Sequence, residues 1–443
     1  MYRPRRRDEA MARWLHSGMQ NGGVLDPFPA SAALEDGRLS LGGMSATALA
    51  EEFGTPVVVY CEQTLLDAAR AYVRAAPGAL VAYSVKAFPS IPLLRLFADE
   101  GLGADVSTLG ELEYATRAGV PGERIVLHGN NKSDDELQAA ARARVGLVVL
   151  DALDEVERAA DAGVRRVLVR VTPGIEADTH AAIRTAHHGS KFGLPPEQAL
   201  EAISRARDAG LEPVGLHVHI GSQLLDTQAA RTGVDWIAGF AADCRAELDW
   251  APEVVDLGGG LGIQYVEDET PPAIEDFVAA LRDRLEHEWR LHGLSVPRLI
   301  LEPGRSLVGH AGVTLYRVGV VKDATETLTY VAVDGGMSDN PRPQLYGARY
   351  TALLANRADE AAEASFSVCG KHCESGDVLI ERVRLPRPRR GDVLAVPGTG
   401  AYTLGMGSNY NGVPRPAAVV VADGKARLIR RRETLDDLLA FES

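Results

Sequence analysis

The chain predicts an α/β plus all-β protein: a (β/α)8 TIM-type barrel with a C-terminal β-sandwich or β-barrel domain that also takes in an N-terminal strand. Three observations predict it. From Ala79 to about Gly304 short apolar runs alternate with amphipathic, Ala/Arg/Glu-rich segments of helical period, the rhythm of a parallel α/β fold. The apolar runs number eight, which closes such a barrel. After Gly304 the pattern turns to β-rich stretches punctuated by Gly, Pro and Asp, as in a separate all-β domain.

In chain order, residues 1–25 read as a disordered, basic tail carrying Arg3, Arg5, Arg6 and Arg7, without the long apolar segment that a secretory or twin-arginine signal needs. Residues 26–60 form an N-terminal segment whose run Pro56-Val57-Val58-Val59-Tyr60 is expected to pair with the β domain. Residues 61–310 hold the barrel, with strands at LVAYSV, LGADV, RIVLH, GLVVLD, VLVRV, VGLHVHI, EVVDL and RLILE. Helix signals between them include 109–118, 134–144 and 196–209. Residues 311–443 hold the strands VTLYRVGVV, TLTYVAV, DVLIERVRL, DVLAVPG and AAVVVA, then a short helix at 435–441 opened by Thr434.

A chain of 443 residues with 46% hydrophobic content can bury two domain cores. A net charge of -14 repels phosphate backbones and anionic membrane surfaces, so neither nucleic acid nor membrane is an expected partner. No apolar stretch approaches the roughly 20 residues of a membrane span. Cys61, Cys244, Cys369 and Cys373 are too sparse for a disulfide framework, and a cytoplasmic protein is expected. Cys369, His372 and Cys373 lack the second ligand pair of a thiol-rich zinc site, so no metal is expected.

Barrel enzymes place their sites at the carboxyl ends of the strands. The strand-end polar residues here are Lys86, Asp105, His128, Asp151, Thr172, His217 or His219, the glycines Gly258, Gly259 and Gly260, and Glu302. Asp151 and Thr172 read as a helix cap and a turn former. Lys86 closes an apolar run, where a disfavoured ammonium frees the amine for a Schiff base with an aldehyde; alone, it would read as a strand-end lysine reaching solvent. The glycine run lets backbone N–H groups close on phosphate oxygens, and Ser222 and Arg305 add further contacts. A Schiff-base lysine and a phosphate cradle on one barrel face suggest pyridoxal 5'-phosphate. Glu302 would then hold the proton on the ring nitrogen, and His219 would stack on the ring unless it is a core histidine.

The segments AYSVKA, HGNNK, HVHIGSQ, DLGGGLG, EPGR, DGGMSDNPRPQLYGARY, GKHCESGD and PGTGAY resemble the diaminopimelate decarboxylases, within the fold-type III pyridoxal enzymes, from about Gly54 onward. The resemblance implies that Lys86 carries the cofactor, that Asp105, His219, Ser222, Gly258, Gly259, Gly260, Glu302, Arg305 and Tyr402 bind it, and that Arg305, Arg342, Tyr346, Glu374 and Tyr402 bind substrate. It also implies that Cys373 enters the active site from the second subunit of a homodimer with shared sites and acts in catalysis beside Lys86. Leu109 and Ala186 depart from the common pattern, in barrel loops. The implied reaction releases carbon dioxide from meso-2,6-diaminopimelate and forms L-lysine. A related decarboxylase of ornithine, arginine or a D-amino acid would leave Arg342 and Tyr346 without an evident partner. A non-catalytic binding protein would not need Lys86, Cys373 and Glu374 together, and a cofactor-free barrel aldolase using Lys86 would not need the phosphate cradle unless its substrate is phosphorylated.

Overall fold

The computed structural model describes residues 25–173 and 190–442; the basic cluster at Arg3, Arg5, Arg6 and Arg7 and the variant position Ala186 lie outside them. The chain divides into two compact units. One comprises Leu66–Ile263 and Thr270–Leu307, and the other comprises the residues up to Leu65, Gln264–Glu269 and the residues from Val308 on.

The first unit is the expected barrel. Its strands Leu80–Ser84, Gly103–Val106, Ile125–Leu127, Leu147–Leu150, Arg166–Arg170, Glu212–His217, Val254–Asp256 and Arg298–Leu301 pair in parallel in that order. The ring closes where Ile300 pairs with Leu80 and Leu301 with Val81. The strands read as near-continuous apolar runs because helices cover one face and the barrel interior the other. Leu80, Ala82, Val126, Leu147, Val149, Leu168, Val214, Val254 and Ile300 make that interior cluster. Capping residues set where each loop hands over to its helix. Thr108 accepts the Glu111 amide at the start of Leu109–Ala118, and Ser133 with Glu136 forms a capping box before Asp134–Arg142. These two caps fix where the loops after the second and third strands end.

The second unit holds a large mixed sheet and a small antiparallel sheet of Ala32–Glu35, Arg38–Leu41 and Met44–Ser45. Val57–Cys61 lies antiparallel to Gly312–Thr325 on one side and parallel to Ala417–Ala422 on the other, so the early apolar run is an interior strand. Gly312–Thr325 also pairs with Val393–Pro397 and, along its later part, with Leu328–Val333, which leads on to Ala364–Cys369 and Val378–Leu385. Leu39, Leu41, Leu49, Val57, Val59, Val313, Leu315, Val393 and Val419 belong to its core. Two strands of the large sheet lie outside the expected runs: Ala364–Cys369, whose inward Phe366 and Val368 follow an acidic, alanine-rich stretch, and Lys425–Arg430, an edge strand marked by charge.

Candidate active site

The first barrel strand ends at Ser84, and Val85–Ala87 form a single 3-10 turn that buries Val85 and Ala87 and turns Lys86 outward. The Lys86 side chain is 51% exposed, with Nζ 3.4 Å from Asp105 Oδ2. This corrects the expectation of an amine walled in by apolar neighbours: the strand stops at Ser84, two residues short of Lys86, and a carboxylate faces the amine instead. Asp105, the penultimate residue of the second strand, is buried and accepts a hydrogen bond from the Ser84 hydroxyl.

Glu302 follows the eighth strand and sits in a buried cluster that the sequence reading only partly assembled. Its Oε1 lies 2.5 Å from His128 Nε2 and its Oε2 3.7 Å from His217 Nε2. His128 Nε2 is also 3.9 Å from Asp105 Oδ1 and 4.0 Å from Asp256 Oδ2. The His128 and His217 rings meet edge to face, 4.7 Å between centroids. Burial pushes the Glu302 carboxyl up, but His128 and His217 outweigh it and hold the group well below the ordinary carboxylate range. Burial, then the Glu302 charge, drives Asp256 well above that range. Adjacent carboxyl groups pushed in opposite directions leave one charged acceptor beside one neutral partner, without two buried negative charges in contact. Asp256 Oδ1 accepts the Gly258 amide at 2.8 Å, while among the described residues Oδ2 has no hydrogen-bond partner. His219 stays neutral because burial, and then the charges of Lys86 and Arg170, push its pKa down to about 3.

The phosphate-cradle residues gather beside this cluster. Gly258 and Gly260 have φ of 64° and 122°, where a side chain is strained. A Cβ on Gly258 would stand 2.7 Å from His219 Nδ1, and one on Gly260 would stand 2.9 Å from the Gly221 carbonyl oxygen. The loops after the sixth and seventh strands are tied together, since the Leu224 amide donates to the Gly260 carbonyl and the Gly262 amide to that of Leu224, both at 2.9 Å. This brings Ser222 toward the glycines, and Arg305 Nη2 donates to Ser222 Oγ at 3.1 Å. A primary amine, an open backbone cradle and a buried, charged carboxylate fit an aldehyde that carries a phosphate and a basic ring nitrogen. Asp151 and Thr172 take structural partners, accepting the Gly193 amide at 2.5 Å and donating to the Phe192 carbonyl at 2.6 Å.

The other proposed residues belong to the second unit. Arg342 is 5% exposed at the start of the short helix Arg342–Tyr346, whereas Tyr346 is 66% exposed. Cys373 is exposed, and so is Glu374 beside it. Their loop is braced from within: buried Asp377 accepts the Met337 amide at 2.7 Å and the His372 amide at 2.9 Å, tying the loop to the segment that leads into Arg342. The Cys373 amide donates to Asn411 Oδ1 at 2.9 Å. Tyr402 adopts a left-handed φ of 58°, a conformation that costs a non-glycine residue energy and recurs at functional sites. His128, Asp256 and Arg170 stand among the polar residues at successive strand ends, which is the signal the sequence carries for them, whereas Asp377 carries none.

Residues 62–309 match the family described as pyridoxal-dependent decarboxylase, pyridoxal binding domain. The chain is 46% identical over 421 residues to the diaminopimelate decarboxylase of Actinosynnema pretiosum subsp. auranticum, covering 94% of this chain and 95% of that one. It is 42% identical to the Bacillus subtilis diaminopimelate decarboxylase, covering 92% and 96%. Among solved structures, diaminopimelate decarboxylase from M. jannaschii in complex with L-lysine is similar, with a TM-score of 0.88, 34% identity, and coverage of 93% of this chain and 98% of that one.

Proposed function

Because the chain belongs to the diaminopimelate decarboxylase family of pyridoxal-dependent decarboxylases, we propose that it converts meso-2,6-diaminopimelate to L-lysine and carbon dioxide, the last step of lysine biosynthesis. The observation that carries the choice of substrate is buried Arg342, which has no carboxylate partner among the described residues. A distal carboxylate distinguishes diaminopimelate from ornithine and arginine as substrates, and a buried guanidinium asks for one.

In this reading Lys86 carries pyridoxal 5'-phosphate, which supplies an electron sink for the pair released when the α-carboxylate leaves. Ser222, Gly258, Gly259, Gly260 and Arg305 would hold its phosphate, His219 would lie against its ring, and Asp105 faces the Lys86 nitrogen. Glu302, kept charged by His128 and His217, holds the proton on the ring nitrogen. Arg305, Arg342, Tyr346 and Glu374 grip the distal amino acid, and Tyr402 touches cofactor and substrate. That grip would orient the breaking bond toward the electron sink that the bound cofactor supplies. Cys373 Sγ or Lys86 Nζ returns a proton to the α-carbon. We further propose a homodimer with shared sites acting in the cytoplasm. The exposure of Tyr346, Cys373 and Glu374 in a single chain supports the dimer. Among the described residues no helix is long and apolar enough to cross a membrane.

The test is carbon dioxide release by purified protein with added pyridoxal 5'-phosphate, offered meso-diaminopimelate, lysine, ornithine or arginine. Release from diaminopimelate alone, abolished in Lys86→Ala, is expected. Release from one of the others instead overturns the substrate, and silence with all four overturns the activity.

A further inference from the structure

We propose that Tyr265 and Tyr350 are positioning residues that set substrate specificity by fixing the Arg342 guanidinium as a receptor for a distal carboxylate. This deepens, and rests on, the reading of Arg342 given above.

The geometry is that of a cage. Arg342 Cζ lies 4.4 Å from the centroid of the Tyr265 ring and 5.6 Å from that of Tyr350. The two rings meet edge to face at 83°, with centroids 5.4 Å apart, and each tyrosine is 3% exposed. Arg342 Nη1 donates to Tyr350 Oη at 2.5 Å. Tyr350 Oη in turn donates to Asn340 Oδ1 at 3.5 Å, and the same oxygen accepts the Arg342 backbone amide at 3.4 Å. Side chain and backbone of Arg342 are thus referred to one amide.

Tyr265 is anchored independently of the arginine. Its amide donates to Glu269 Oε2 at 2.9 Å, which closes the segment Gln264–Glu269 on itself. Arg349 clamps the same segment through two bonds to Asp268, at 3.1 and 2.8 Å. The backbone that carries the ring is therefore tied within its own segment and to Arg349, which lies beyond the arginine's short helix.

What the cage leaves out matters as much. A structural buried arginine normally carries a carboxylate, which cancels its charge. Here every described partner of the guanidinium is a tyrosine, so its orientation is fixed while its charge stays available. A free arginine would lose rotamer freedom on binding substrate, whereas a caged one has lost it already. A ligand without a distal carboxylate would leave the cation buried and uncompensated.

The test uses the full chain loaded with pyridoxal 5'-phosphate, in the variants Tyr265→Leu, Tyr265→Phe and Tyr350→Phe. The readouts are kcat and KM for meso-diaminopimelate and inhibition constants for L-lysine and 1,5-diaminopentane, which differ by one carboxylate. Melting temperature and cofactor absorbance report integrity. Tyr265→Leu should raise the diaminopimelate KM and the lysine inhibition constant about tenfold and leave that of diaminopentane in place. Tyr265→Phe and Tyr350→Phe, each of which keeps a ring face and removes a hydroxyl that meets the guanidinium, should both fall between wild type and Tyr265→Leu. Equal weakening of both inhibitors, or no weakening of lysine in either Tyr265→Leu or Tyr350→Phe, overturns the cage. Should Tyr265→Leu fail to fold, Tyr350→Phe, which removes one oxygen, decides alone. A wild type that releases no carbon dioxide from diaminopimelate overturns the substrate reading itself, whereas turnover with an unchanged lysine-to-diaminopentane ratio in the variants overturns only the cage.

Discussion

At the scale of single residues, the carboxyl groups of this chain differ by environment more than by type. Glu302 is held charged by two histidines, whereas Asp256 beside it is driven toward its neutral form. Asp339, just ahead of Arg342, offers a case whose titration is open to measurement. It is buried, accepts the Tyr316 hydroxyl at 2.5 Å and the Gly336 amide at 2.8 Å, and burial raises its pKa to about 7. A folded pKa above the unfolded value means that the native state holds a proton which the unfolded state has released. Stability from this group is therefore complete below about pH 4 and is lost as pH rises to about 7. Asp339→Asn removes the titration, so wild type should lose ground to the variant between pH 5 and pH 8. Urea midpoints at the two pH values measure this, and a constant gap between the proteins would rule it out.

At the scale of elements, the barrel loops depend on buried polar ties. Lys132, in the loop after the third strand, donates to Glu155 Oε1 at 2.7 Å and to the Gly129 carbonyl at 2.6 Å, and Glu155 Oε2 accepts the Asp151 amide at 2.9 Å. The pair joins that loop to the start of the helix Glu155–Asp161, with side-chain exposures of only 1% and 5%. Removing one partner strands the other charge in the interior, so Lys132→Met should cost about 3–5 kcal/mol. Removing both, in Lys132→Met with Glu155→Leu, should recover much of that loss. Chemical denaturation of the two variants tests the difference, and equal destabilisation would show that packing dominates over charge. The strand-end loops of the cofactor face would loosen in the single variant before the barrel interior does, because that interior is the apolar cluster from Leu80 to Ile300.

At the scale of the whole molecule, the proposed dimer makes a prediction that no single chain can meet. If Lys86 and Cys373 serve one site from different subunits and Cys373 is the group that returns the proton, then Lys86→Ala and Cys373→Ala, each nearly inactive, should complement when mixed. Random re-pairing gives half of the dimers one intact site, so about a quarter of wild-type activity should return. Two inactive variants that stay inactive after verified subunit exchange would place both residues in one chain's site. The sequence by itself determined the barrel, because strands buried on both faces are written as apolar runs and each of the eight is found where it was read. It also determined the inclusion of the early strand Val57–Cys61 in the β unit, through a run too apolar to be left at a surface. The motif residues Lys86, Glu302 and Gly258 were legible for a similar reason, as chemistry placed at strand ends. Only the tertiary structure decided what surrounds them: that Lys86 faces Asp105 instead of an apolar wall, that His128 and His217 converge on Glu302, and that Tyr265 joins Arg342. These partners stand up to 174 positions apart in the chain, as for His128 and Glu302. Periodicity reports which face of its own element a residue occupies, and distance across a fold leaves no trace in it.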